Sequence, residues 1–173
     1  MDDFARLPSD EREVYFEQAE ARLGLGAKLV EKDFWVCWSL KRLFSLEGFH
    51  NHLTFKGGTT LSKVYNVIER FSEDIDVSIE RGVLGFVVDN YPERGDSGKE
   101  KQRRIARLKK ACQEVVARDL RPQLSDAIAD ALGSESDWNL SLDPDDPDQQ
   151  SLLFDYPTTI QGSMSSYNAD QVK

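Results

Sequence analysis

Asp74 and Asp76 stand two residues apart in a stretch, Asp74 to Ile79, whose polar residues alternate with Ile75, Val77 and Ile79. Residues two apart on a β-strand face the same side, so the alternation predicts a strand that projects both carboxylates together. Adjacent carboxylates repel unless a proton or a cation is shared between them. Mg2+ (or Mn2+) suits such a pair, because Mg2+ takes one or two protein carboxylates and completes its octahedron with phosphate oxygens and waters. Two such ions can activate an attacking hydroxyl and stabilise a pyrophosphate leaving group. An isolated D-x-D is also what the solvated edge of a half-buried strand looks like, so the pair needs a companion feature.

That companion lies upstream. Leu53 to Phe55 reads as a short buried strand ending at Lys56, and Gly57-Gly58 as the turn that follows. Glycines let the backbone approach a ligand with no side chain in the way. Thr59 or Thr60 can cap a helix over Leu61 to about Ile68, whose N-terminus offers unpaired N–H groups to a phosphate. Lys56 and Lys63 are local cations. The only Gly-Lys pair, Gly98-Lys99, lacks the earlier glycine of a P-loop, and no G-x-G-x-x-G is present. The order strand, Gly-Gly, helix, D-x-D strand brings a triphosphate cradle and a metal site to one end of a small sheet.

The elements around this unit are mostly helical. Asp10 to Leu23 reads as a helix with Asp10 as cap and Glu13 at the capping-box position. Ala27 to about Leu46 reads as a helix with apolar residues on more than one face, Trp35 and Trp38 among them, hence one packed on several neighbours. Gly82 to Asn90 is open between strand and loop, and Tyr91 to Gly98 reads as a mobile loop. Lys99 to Asp119 reads as a charged helix with Ile105, Leu108, Cys112, Val115 and Val116 inward, interrupted by Pro122; another helix follows to about Leu132. Trp138 to Leu142 and Ser151 to Tyr156 read as strands around a turn-rich acidic loop, DPDDPD, which lacks the Gly and Glu of an EF-hand. Residues 157–173 are polar and poorly patterned. The expected fold class is α+β, a small mixed sheet flanked by helices. The expected organisation is a helical extension (1–26), a core (27–157) and a polar tail or the start of a strand (158–173).

A chain of 173 residues, 39% hydrophobic and 31% charged, suits one globular domain. No window resembles a membrane span, the acidic start is no secretory signal, and Cys37 and Cys112 suit free thiols in the cytoplasm. His50 and His52 leave little material for zinc. The net charge of -9 argues against a uniformly basic nucleic-acid-binding surface. The charge is uneven, however. Lys99 to Lys110 holds seven Lys or Arg and one Glu, while Ser134 to Asp155 holds seven Asp or Glu and no base. Arg103, Arg104, Arg107, Lys109 and Lys110 form a candidate phosphate-contacting stripe, or simply a solvated helix face.

The central segment resembles the nucleotidyltransferase superfamily that includes DNA polymerase beta. It is more similar still to the AbiEii/AbiGii-type toxin family of bacterial abortive-infection and toxin–antitoxin systems. The resemblance rests on VEKD at 30–33, FKGGTTLSK at 55–63, RFSEDIDVSI at 70–79 and SLLFDYP at 151–157, and covers about residues 28–157. It implies that Gly57 and Gly58 contact an NTP, that Thr59 or Thr60 adds a hydroxyl, that Lys63 meets phosphate, and that Asp74 and Asp76 hold the metal. Arg70 and Ser72 would orient the approach or reach substrate; Glu31, Lys32 and Asp33 would support the site, or form an ion network on the helix surface. It also implies nucleotide transfer from an NTP to an acceptor such as tRNA, and a cognate antitoxin as partner. The family pattern continues with a strand resembling K-x-E-F-G and a third catalytic group, so the chain reads as its N-terminal portion, with Asp155 or an acid in 143–148 as candidate substitutes. Two alternatives stand beside transfer: a catalytically inactive NTP- or antitoxin-binding domain, and a nucleic-acid-binding module using the Lys99–Lys110 helix. An exposed sheet edge is expected to favour homo-oligomers.

Overall fold

A computed structural model describes residues 1–56, 74–133, 137–160 and 170–173. Strand β1 (Leu53–Lys56) pairs antiparallel with β2 (Asp76–Ile79), in register from Leu53↔Ile79 to Lys56↔Asp76. Strands β3 (Asn139–Leu142), β4 (Leu152–Asp155) and β5 (Gln171–Val172) form a second antiparallel sheet in that order. The Ile75 N–H donates to the Lys173 carbonyl at 2.8 Å, which sets the approach to β2 against β5 and joins the two sheets edge to edge. The fold is therefore α+β, a small antiparallel sheet flanked by helices. Among the described residues every strand pair is antiparallel, where a mixed sheet was expected.

Helix α1 (Asp2–Ala5) and helix α2 (Ser9–Leu23) precede α3 (Ala27–Leu43). Asp10 is inside α2 and makes no cap; Pro8 occupies that position, and Gly24 ends the helix in the left-handed region at φ 68, its N–H on the Glu20 carbonyl. The predicted packing of α3 is realised. Trp35 and Trp38 are completely buried. Trp35 stacks on Tyr156 and Trp38 on Phe154, with ring centroids 5.5 and 5.8 Å apart. Such stacks add roughly 0.5–1.5 kcal/mol each beyond the area they bury, and they lock α3 beneath β4. The helix stops at Leu43, short of the expected Leu46, because the chain turns to bury Leu46 and Phe49 in the same core.

Helix α4 (Gly98–Val115) starts at Ser97, whose Oγ accepts the Glu100 N–H. It runs through a π turn (Val116–Leu120) straight into α5 (Arg121–Leu132). Pro122 was expected to interrupt the helix. In the π turn just before it the Arg121 N–H reaches back to the Val116 carbonyl, and this wider turn carries the helix past the proline ring. Val116, Leu120, Leu124 and Ile128 face the core from this side. Ile105, expected inward, is exposed.

Residues 82–98 form neither strand nor loose loop. They turn into short 3-10 segments, Val88–Asn90 and Pro92–Arg94. Arg81 binds Glu93 through both guanidinium nitrogens at 2.9 and 2.8 Å. Arg104 Nη1 on α4 donates to the carbonyls of Asp89 and Tyr91 at 2.6 and 3.1 Å. No helix among the described residues is long and apolar enough to cross a membrane.

Candidate nucleotide site at the Asp74–Asp76 edge

The β1–β2 register sets Lys56 directly opposite Asp76. The ammonium-bearing end of β1, the exit towards Gly57, and the two aspartates thus meet at one end of the hairpin. Asp76 opens β2, and Asp74, where the strand was expected to start, lies two residues before it. Both aspartates are exposed while Ile75 and Val77 are half-buried, which keeps the predicted alternation. Gly57, Gly58, Thr59, Thr60, Lys63, Arg70 and Ser72 lie outside the described residues, as does the expected helix over 61–68.

Asp74 and Asp76 line the mouth of a cleft of about 440 Å³. Its floor is apolar, built by Leu43 of α3, Leu120 of the π turn, and Leu124 and Ile128 of α5. Its far wall is β3 and β4, through Leu140, Leu152 and Phe154. Lys173 closes one end. Its Nζ lies 2.6 Å from Asp143 Oδ2. That hydrogen bond, with the charges of Asp143, Asp146 and Asp74, raises the Lys173 ammonium above its ordinary value against the opposing effect of burial. Neither Lys173 nor Asp143 was singled out in the sequence as close to Asp74; the polar segment before Lys173 carries no periodic signal.

Of the acids expected as substitutes for a third carboxylate, Asp143, Asp146 and Asp155 are held by local structure, Asp148 pairs with Lys109, and Asp145 is exposed. Asp143 is buried, its carboxyl lowered by the Lys173 hydrogen bond and the Asp145 N–H. Asp146 accepts the N–H groups of Gln150, Ser151 and Asp148, which pull its carboxyl down to about 2. Asp155 accepts from Asn139 Nδ2 and Gln171 Nε2 across the β3–β4–β5 sheet. Among the described residues, no group of three or more His, Cys, Asp or Glu side chains is placed to hold a metal ion. Two carboxylates meet the needs of an ion that arrives with phosphate oxygens; they do not make an all-protein cage.

Glu31 is fully buried on α3 and reaches the segment after β4. It accepts from Thr159 N at 2.7 Å, Thr158 Oγ1 at 2.9 Å, Thr159 Oγ1 at 3.0 Å and Ile160 N at 3.3 Å. Lys32 is also buried and Asp33 half-buried. Burial takes Glu31 and Lys32 off the helix surface. Glu31 ties α3 to the chain that leaves β4.

Within the basic stripe of α4, Arg104 is tied into the surrounding structure, while Arg103, Arg107, Lys109 and Lys110 stay exposed. Arg104 holds the 3-10 segments and Glu100, and Arg107 lies over the Phe86 ring at 6.0 Å. Lys109 pairs with Asp148 at 2.7 Å. Arg103 pairs with Glu100, and Lys110 lies 3.8 Å from Glu114; these two keep most of their side chains in solvent.

The strand-ended hairpin with its carboxylate edge and the flanking helices define a nucleotidyltransferase-like α+β domain. A family model described as "Nucleotidyl transferase AbiEii toxin, Type IV TA system" matches residues 38–173, well over half of the chain, and the protein belongs to that family. No curated protein and no solved structure matches it.

Proposed function

We propose that this chain is a nucleotide-binding domain of the nucleotidyltransferase type, which takes a metal–NTP complex at the Asp74–Asp76 edge and does not complete nucleotide transfer unaided. The observation that carries this reading is the pairing of two exposed aspartates at a cleft with the engagement of Asp143, Asp146 and Asp155 elsewhere. Asp74 and Asp76 would hold Mg2+ or Mn2+, which supplies charge neutralisation to the phosphates when bound. Lys56, opposite Asp76, adds a cation at the same end. Gly57, Gly58, Thr59, Thr60 and Lys63 are assigned the triphosphate on the family resemblance alone. The family's toxin–antitoxin setting supports an antitoxin as partner.

Family membership favours a second reading, catalytic transfer to an acceptor such as tRNA. There an acceptor hydroxyl attacks the α-phosphate and pyrophosphate leaves. Calorimetry with GTP, CTP and ATP, each with and without Mg2+, tests binding. Incubation with labelled NTPs, Mg2+ and total tRNA tests transfer. Metal-dependent binding without label on tRNA is the expected result. Label that disappears in the Asp74→Asn and Asp76→Asn variants would replace it with the catalytic reading. NTP binding that survives both substitutions would refute the site itself.

A further inference from the structure

Helices α2 and α4 turn faces of opposite charge to solvent. Helix α2 buries only Arg12 and Phe16, and it carries five acidic residues against two arginines, one of them the buried Arg12. Asp10, Val14, Glu17 and Ala21 are all exposed. They stand at i, i+4, i+7 and i+11, so they form one stripe of about 16 Å along the helix. Val14, in the middle of that stripe, is an apolar side chain 49% exposed. Helix α4 carries seven basic residues and two glutamates. Its exposed residues Lys99, Arg103, Ala106 and Lys110 form a stripe of the same spacing. Arg103 and Lys110 keep 67% and 76% of their side chains in solvent although they pair with Glu100 and Glu114. Exposed pairs of that kind hold a side chain weakly and leave it open to a second partner.

The spacing 4-3-4 reads the same in both directions, so two such stripes laid antiparallel face each other at every level. Asp10 then meets Lys110, Val14 meets Ala106, Glu17 meets Arg103 and Ala21 meets Lys99. Two levels pair opposite charges. A third sets Val14 on the small Ala106, and at the fourth the Lys99 stem covers the Ala21 methyl. The parallel arrangement keeps a single opposite-charge pair, Asp10 with Lys99, and sets Val14 on Arg103. We infer that α2 of one copy docks antiparallel on α4 of a second copy, and that the chain associates with itself through these two faces. The net charge of -9 drives two copies apart overall, so the attraction has to be local, between an acidic and a basic face. A single pair of helical stripes is a small contact, which makes the association weak and sensitive to salt. It uses no residue of the Asp74–Asp76 edge.

Sedimentation equilibrium of the full chain tests the pairing. At about 0.05 M salt the chain is expected to associate with a Kd on the order of 0.1–1 mM. At about 0.5 M salt the association is expected to be at least about tenfold weaker. Asp10→Lys with Glu17→Lys, or Arg103→Glu with Lys110→Glu, is expected to weaken it at least about tenfold at low salt. All four changes in one chain restore opposite charges and are expected to return the Kd to within about threefold of the parent. Circular dichroism checks the helix content of each variant. A second readout leaves the charges untouched. Val14→Cys and Ala106→Cys chains, when mixed, are expected to cross-link at least about tenfold faster than either chain alone, because the two positions lie opposite each other. Should the four-fold variant lose its helices, the cross-linking rates decide. A monomer at all concentrations up to about 1 mM would overturn the inference. So would association that either pair of reversals leaves unchanged, a folded four-fold variant that stays monomeric, or equal cross-linking in the mixture and in the separate chains.

Discussion

Replacing Glu31 by Ala measures how much the link between α3 and the exit of β4 contributes. The buried carboxylate accepts two backbone N–H groups and two threonine hydroxyls. After truncation the Thr159 and Ile160 amides lose their charged acceptor, at about 1–3 kcal/mol for each donor left unpaired. The hydroxyls can turn elsewhere, and Thr158 is exposed, so they add less. The Arg12 guanidinium, already lowered by burial, also loses the opposing charge of Glu31. Because groups that share one acceptor do not add independently, the sum is about 3–5 kcal/mol. With a urea slope of about 2 kcal/mol/M, the unfolding midpoint should fall by roughly 1.5–2.5 M. Glu31→Gln keeps one acceptor oxygen but turns an NH2 group towards donors, and should cost about half as much. Urea titrations followed by tryptophan fluorescence report the change, since Trp35 sits one turn along the same helix. A loss below about 1 kcal/mol for Glu31→Ala would refute the argument. Unchanged stability with lost NTP binding would move Glu31 into the nucleotide site.

Other perturbations follow from the same contacts. Arg104→Ala removes two carbonyl contacts from a mostly buried guanidinium and should cost about 1–2 kcal/mol, with faster proteolysis at 88–95. Arg103→Ala, on an exposed pair, should change stability by under about 0.5 kcal/mol; equal effects of the two would refute the distinction. Asp146 is held down to about 2 by the N–H groups of Gln150, Ser151 and Asp148. Its contribution is therefore full above the ordinary aspartate range, near pH 4, and lost as pH falls through about 2. Thermal midpoints of Asp146→Ala should lie below the parent by a constant gap from neutral pH to about 5, a gap that closes towards pH 2; a gap that widens in acid would contradict the assignment. Lys173→Gln removes the hydrogen bond and charge that most lower Asp143, so carboxyl-carbon NMR titration should find the Asp143 pKa raised; an unchanged value would mean that the Asp145 N–H alone holds it down.

What could be read from the sequence was what local pattern controls. Period-two alternation at 74–79 gave β2 and its two outward carboxylates, although Asp74 itself precedes the ladder. The aromatic, many-faced pattern of Ala27–Leu43 gave a buried α3, because a helix that wide in apolar residues has to be covered on several sides. Pattern also located β1, β3 and β4, whose short runs lie between turn residues. Where the signal depended on distant partners it failed. Residues 82–98 looked loose because Arg81 and Arg104, which hold them, act through long side chains on other segments. Pro122 looked like a break because propensity does not foresee a π turn that accommodates it.

The amino-acid order by itself determined the family and the carboxylate pair, because each is a matter of residue type at fixed spacing. Tertiary structure alone decided the use of the remaining charges. Glu31 became a buried clasp on residues 158–160, Arg104 of the basic stripe was drawn onto the 3-10 segments, and the acids at 143, 146 and 155 were drawn into loop and sheet contacts. Only the fold brought Gln171–Val172, in a stretch read as a polar tail or the start of a strand, against β4 and Lys173 against Ile75. Those pairings depend on which backbone edges meet in space, and it is they that leave the cleft beside Asp74 and Asp76.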